Sequence, residues 1–88
     1  MKKKIKLNKD FISIREKIKR DYLNLGFTIS GTESLKAIKN NSWILFRESK
    51  TEDKILRIIV DSRDEKTAEE FLKEAEKMLN MAVLNQNL

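Results

Sequence analysis

Between residues 47 and 57 the chain gathers side chains suited to holding an anion: Arg47, Ser49, Lys50 and Thr51 within five positions, then Arg57 on the far side of a polar loop. Arginine offers a planar fork of donors and serine and threonine offer hydroxyls. A tight turn also aims backbone N–H groups, here that of Lys50, at a common point. Such a set suits a phosphate or a carboxylate. The same residues also describe an ordinary polar hairpin loop whose hydroxyls cap the turn, and composition leaves both readings open.

Other chemistries have little to work with. The 88 residues include no cysteine and no histidine, which excludes a disulfide framework, thiolate metal sites and imidazole acid–base catalysis. No catalytic residue and no metal ligand is assigned. Nineteen basic residues face fourteen acidic ones, for a net charge of +5 and an isoelectric point near 9.6. That balance permits an anionic partner without choosing one. Lys2, Lys3, Lys4 and Lys6 carry much of the excess and read as a solvated terminus. The apolar runs are too short to cross a membrane, and Met1-Lys-Lys-Lys opens no secretory signal, so the expectation is a cytoplasmic protein without a membrane partner.

The loop needs strands to hold it, and 43–46 and 55–60 supply them. In the second, Leu56, Ile58 and Val60 share a core face, while Arg57, Ile59 and Asp61 share the other. The first is apolar throughout, which implies burial on both faces or a packed edge, with Trp43 where the sheet meets a helix. Asn40-Asn41-Ser42 predicts a hairpin turn joining 35–39 to 43–47 as antiparallel partners. Upstream, 3–7 alternates as a short strand, and 27–30 is a further short strand candidate.

Two helices complete the set. From Phe11 to Leu25 apolar residues fall at 11, 14, 18, 22 and 25, with Arg15, Lys17, Lys19 and Arg20 largely off the stripe; Asn8 or Asp10 is the expected cap and Gly26 the stop. In the last helix Ala68, Phe71, Leu72, Ala75, Met78, Leu79 and Ala82 form the buried stripe. Ser62 or Asp64 caps it, Ser62 and Glu65 being spaced as a capping box. One domain over 1–84 is expected, with 85–88 frayed. The fold class is α+β: a two-layer sandwich of a four-stranded, largely antiparallel sheet with two helices on one face, ordered β-α-β-β-β-α.

The run Trp43-Ile-Leu-Phe-Arg47-Glu-Ser49-Lys-Thr51-Glu52, followed by Arg57-Ile-Ile-Val-Asp61, resembles the C-terminal domain of the α-D-phosphohexomutases, the phosphoglucomutase, phosphomannomutase and phosphoglucosamine mutase family of isomerases in carbohydrate metabolism. That family carries Trp-Val-Leu-Val-Arg-Pro-Ser-Gly-Thr-Glu-Pro, then Arg-hydrophobic-hydrophobic-Val-Glu, then a helix rich in alanine and glutamate. The resemblance runs from the first strand to about Leu79. It implies a TATA-binding-protein-like domain whose loop grips the non-transferring phosphate of a sugar phosphate. Arg47 would pair with the phosphate, Ser49 and Thr51 would donate hydroxyl hydrogen bonds, the N–H of Lys50 would complete the cradle, and Arg57 matches the arginine opening the last strand. Glu52 would shape the loop.

The sequence also departs from that pattern. Glu48, Lys50 and Asp53 replace a proline, a glycine and a second proline. If the glycine is left-handed, Lys50 is strained there. An extra residue precedes Arg57, which predicts its displacement or a bulge. The family's phosphoserine, magnesium-holding acids and sugar-selecting loop lie on other domains, so the resemblance implies no activity from this chain alone, no cofactor bound by it, and other phosphohexomutase domains as partners. Two alternatives stand beside this reading: a divergent interaction module that has lost phosphate binding, and a small basic nucleic-acid-binding domain. The latter is disfavoured because Phe46 or Tyr22 would have to supply the open-face aromatics.

Overall fold

Side-chain alternation sorts each strand into a covered and an open face. In β5 (Ile55–Asp61) Leu56, Ile58 and Val60 are buried, and in β4 (Ser42–Glu48) so are Ser42, Ile44 and Phe46; the residues between them are half-buried or exposed. The computed structural model describes residues 1–86. The chain runs β1 (Lys2–Lys6), α1 (Ile12–Asn24), β2 (Thr28–Ser30), β3 (Leu35–Lys39), β4, β5 and α2 (Glu65–Gln86). The five strands form one antiparallel sheet in the order β1-β5-β4-β3-β2. Four strands were expected. The fifth is Thr28–Ser30, whose three residues pair with Ile38, Ala37 and Lys36.

The two helices join the inward strand residues in one core, in which Phe11, Ile14, Ile18 and Tyr22 of the α1 segment meet Leu35, Phe46, Leu56 and Ile58 of the sheet and Ala75 and Leu79 of α2. Aromatic packing ties these layers: Phe11 stacks on Phe46 at 5.9 Å between centroids, and Tyr22 meets Phe27 edge-on at 4.9 Å. The expected α2 stripe lies in or against this core. Of the frayed tail, 85 and 86 are helical, and 87–88 lie outside the described residues. No helix among the described residues is long and apolar enough to cross a membrane.

Helix ends account for several differences. Gly26, at φ +87°, stops α1: the N–H groups of Gly26 and Phe27 reach the carbonyls of Leu23 and Tyr22, the paired bonds of a left-handed glycine stop. Leu25 therefore leaves the apolar stripe and is 44% exposed. At its start α1 has neither Asn8 nor Asp10 as a side-chain cap; Phe11 N donates to Glu48 Oε1 at 2.8 Å. Asp64 caps α2, its carboxylate accepting from Thr67 N at 2.7 Å and Thr67 Oγ1 at 3.0 Å. Ser62 instead meets Ser42, with 3.1 Å between hydroxyls, so the Ser62–Glu65 box does not form.

Two further side chains depart from expectation. Arg15 is 6% exposed, not on the solvent side. Its guanidinium donates to Gly31 O at 2.7 Å and to Ser34 O at 3.1 and 3.3 Å. Trp43 lies on the open face, away from the helices, because Ser42 and Ile44 take the inward positions beside it. Ile38 and Asp61 stand opposite it, and Lys36 Nζ is 4.5 Å from its ring centroid.

Candidate anion-binding row

Strand register, rather than loop shape, brings the candidate site together. Arg47 near the end of β4 stands directly opposite Arg57 on β5, and Arg57 stands directly opposite Lys4 on β1. Three cations therefore cross three neighbouring strands in one row on the open face. Directly opposed like charges destabilise a sheet, so this row carries an excess of positive charge that a nearby negative group would offset. The bulge expected before Arg57 does not occur: β4 and β5 pair without a break in register from Glu48–Leu56 to Trp43–Asp61. The added loop length ends at Lys54, which takes φ +55°, after which β5 begins in register. Lys50 has no positive φ, and the strain expected there falls on Lys54.

One carboxylate answers the row. Glu52 Oε1 is 3.1 Å from Lys4 Nζ and 3.8 Å from Arg57 Nη2. Both partners of the Arg57 contact are 43% exposed, and ion pairs in such water-accessible settings are weak. Arg57 Nε is buried without a hydrogen-bond partner, and Arg47 enters no ion pair among the described residues. Beside Arg47, Glu48 belongs to the covered face with Leu56. Its carboxylate is held at the start of α1, on the other side of the strand from the cations. Glu48 thus opposes an anion at the row less than its neighbouring position suggests.

The turn between the strands is ordered by its own serine. Ser49 N donates to Ile55 O at 2.8 Å and closes the hairpin. Ser49 Oγ accepts from Glu52 N at 3.2 Å and from Thr51 N at 3.4 Å, with Thr51 Oγ1 also 3.4 Å away. The serine oxygen is engaged as an acceptor from the backbone, and in its contact with Thr51 Oγ1 either hydroxyl can donate. The N–H of Lys50 takes part in none of these loop bonds. Between Arg47, Lys50, Thr51 and Arg57 lies a notch of about 130 Å³. A wider cleft of about 760 Å³ opens from Arg47 and Lys50 toward Ile12 and the 32–34 loop.

All five expected residues thus border one region: Arg47 and Arg57 in the strand row, Ser49, Lys50 and Thr51 in the turn above it. Lys4 belongs with them and was read as part of a solvated terminus. Its outward position was legible from the alternation of β1, but its proximity to Arg57 depends on a pairing across more than fifty residues. No cluster of three or more metal-ligating side chains occurs among the described residues. Comparison of the chain with protein-family models and with curated proteins finds no match.

Proposed function

We propose that this chain is a phosphate-gripping module, working as the C-terminal domain of a phosphohexomutase works: it holds the non-transferring phosphate of a sugar phosphate while other domains perform the phosphoryl transfer. The observation that carries this reading is the Lys4–Arg57–Arg47 row, in which Glu52 meets Lys4 and Arg57 and Arg47 enters no ion pair among the described residues. A phosphate dianion supplies the charge that the row lacks and accepts forked bonds from guanidinium groups. The turn adds the Lys50 N–H and the hydroxyls of Ser49 and Thr51. The residues of 43–61 that resemble the family support the same reading. Magnesium and the phosphoserine belong to the partner domains, and this chain contributes orientation and charge.

Glu52 favours a second reading, in which the turn has lost phosphate affinity and the domain serves as an interaction module. Its carboxylate already bridges Lys4 and Arg57, and it competes with any incoming anion. The nucleic-acid reading called on Phe46 or Tyr22, and both are fully buried; Trp43 is the aromatic ring left on the open face, half-buried with Lys36 over it.

A two-dimensional amide NMR titration with glucose 6-phosphate, inorganic phosphate, glucose and a short single-stranded RNA separates these readings. Saturable shifts at Lys4, 47–52 and Arg57 with both phosphates, absent with glucose and abolished by Arg47→Ala, are expected. A silent row at about 10 mM ligand, a concentration that detects even binding weaker than 4 kcal/mol, rejects phosphate gripping and leaves the interaction module. Shifts across the open face with RNA alone select the nucleic-acid reading.

A further inference from the structure

We infer that the open face of the sheet docks an acidic amphipathic helix of a partner protein, its axis along the strands over Leu45 and Ile59 and between Lys36 and Lys2, the four residues of one cross-strand row. This row lies one step along the strands from the Lys4–Arg57–Arg47 row, and the inference does not depend on phosphate binding. Lys36 stands opposite Leu45, Leu45 opposite Ile59, and Ile59 opposite Lys2, so two aliphatic side chains lie between two lysines across four strands. Trp43 and Ile38, opposite one another in the next row, extend the apolar strip. All four apolar side chains are only half-buried, because both helices cover the other face.

Dimensions and charge choose the occupant. Strands lie about 4.8 Å apart, which separates Lys36 from Lys2 by about 14 Å across three spacings. An α-helix with its side chains is about 10–12 Å across, so one helix lies on the aliphatic strip with a lysine on either flank. Lys2, Lys4, Lys6, Lys36, Arg47 and Arg57 all belong to this face, and Asp61 and Glu52 are the acids beside them. The complementary surface is an apolar stripe bordered by glutamates or aspartates. A second copy laid face to face brings the same excess of cations and is repelled. A single-stranded nucleic acid needs stacking surfaces, whereas this strip is mostly aliphatic and the ring of Trp43 already carries Lys36.

Trp43 is the only tryptophan in the chain, so its fluorescence reports on this face alone. The probe is a synthetic helical peptide with leucines along one side and glutamates on both flanks. Its counterparts are the same peptide with lysines for glutamates and an oligo-deoxythymidine. The expected result is a saturable blue shift with the glutamate peptide, weakened about tenfold by Lys36→Glu and about tenfold by added salt near 0.5 M, with no response to the lysine peptide. Leu45→Ser, a change on the open face that leaves the core intact, also weakens binding; unchanged far-ultraviolet circular dichroism verifies that both variants fold. No shift with the glutamate peptide, equal binding of the lysine peptide, or tighter binding of the oligonucleotide overturns the inference. A concentration-dependent blue shift without peptide, accompanied by dimer formation in ultracentrifugation, assigns the face to a second copy and overturns it as well.

Discussion

Phe11 N donates a 2.8 Å hydrogen bond to Glu48 Oε1, joining the start of α1 to the end of β4 across 37 positions of sequence. A helix start presents unsatisfied N–H groups and a partial positive charge, and Glu48 answers both. It does so from the strand that also carries Arg47, so one segment holds a carboxylate on its covered side and a guanidinium on its open side. Glu48→Ala is expected to lower stability by about 1 kcal/mol. Glu48→Gln, which keeps an oxygen acceptor, should lose less. Urea unfolding of the two variants measures the difference, and equal stability of the alanine variant and the parent would show that the bond contributes nothing.

Arg15 performs a comparable tie from the other side of the site. Its buried fork holds the carbonyls of Gly31 and Ser34, and with them the 32–34 loop that borders the cleft beside Arg47. Arg15→Met leaves those carbonyls without the guanidinium donors and is expected to cost about 2–3 kcal/mol. Arg15→Lys should recover little, because an ammonium cannot reproduce the planar fork. Amide exchange in 31–34, accelerated in both variants, checks that the loss is local to this tie; protection equal to the parent in the methionine variant contradicts it.

Tyr22 is fully buried with its hydroxyl unpartnered. Burial pushes its ionisation above the usual 10.0, and the charges of Glu74 and Asp21 add to the shift. A folded pKa raised above the unfolded one leaves stability intact below pH 10 and erodes it as the pH rises further, since only the unfolded chain then releases the proton. Tyr22→Phe is expected to stabilise the fold by about 1 kcal/mol at neutral pH by removing an unsatisfied hydroxyl. It should also flatten the alkaline limb of the stability curve. Thermal unfolding from about pH 8 to about pH 11, a range that brackets the ordinary tyrosine value, reads both effects.

At the acid end the corresponding group is Asp64. The backbone N–H of Thr67, and then its hydroxyl, hold the Asp64 carboxyl below its ordinary value near 3.8. The sign is opposite to that of Tyr22: the contribution is complete above pH 3.8 and is lost as the pH falls through the lower folded value. Asp64→Asn keeps a capping oxygen without a titrating group. Its stability relative to the parent should therefore improve as the pH is lowered from 5 to 2, the approximate span over which a perturbed aspartate titrates. Parallel acid curves for the two proteins would contradict this role of the carboxylate.

Local pattern made much of this architecture legible. The alternation of Leu56, Ile58 and Val60, the apolar stripe of α2 and the Asn40–Asn41 turn are short-range features, and the structure has each, with Asn40 at φ +56°. Arg47 and the 49–51 turn could likewise be read together, because one hairpin holds them. What escaped depends on where distant segments meet. Arg15 looks like a surface residue until the 31–34 loop folds over it. Lys4 looks like one of four solvated lysines until β1 pairs with β5. The open-face position of Trp43 follows from the pleat, since an apolar strand gives no internal sign of which face the helices cover.

Glu52 provides the last prediction, because it is the anion already present at the row. A sugar phosphate that binds there displaces its carboxylate from Lys4 and Arg57, and the work of displacement reduces the observed affinity. Glu52→Gln removes one negative charge while retaining the backbone N–H that donates to Ser49, so the turn keeps its shape. Phosphate affinity should rise about three- to tenfold, as expected for removing a nearby like charge from a partly exposed site, and the gain should shrink as salt screens the row. Arg57→Ala in the same background should remove most of it. Isothermal titration with inorganic phosphate at low and high salt supplies the comparison. If Glu52→Gln instead weakens phosphate binding, the carboxylate organises the cations more than it competes for them, and the Lys4–Glu52–Arg57 bridge is part of the binding site.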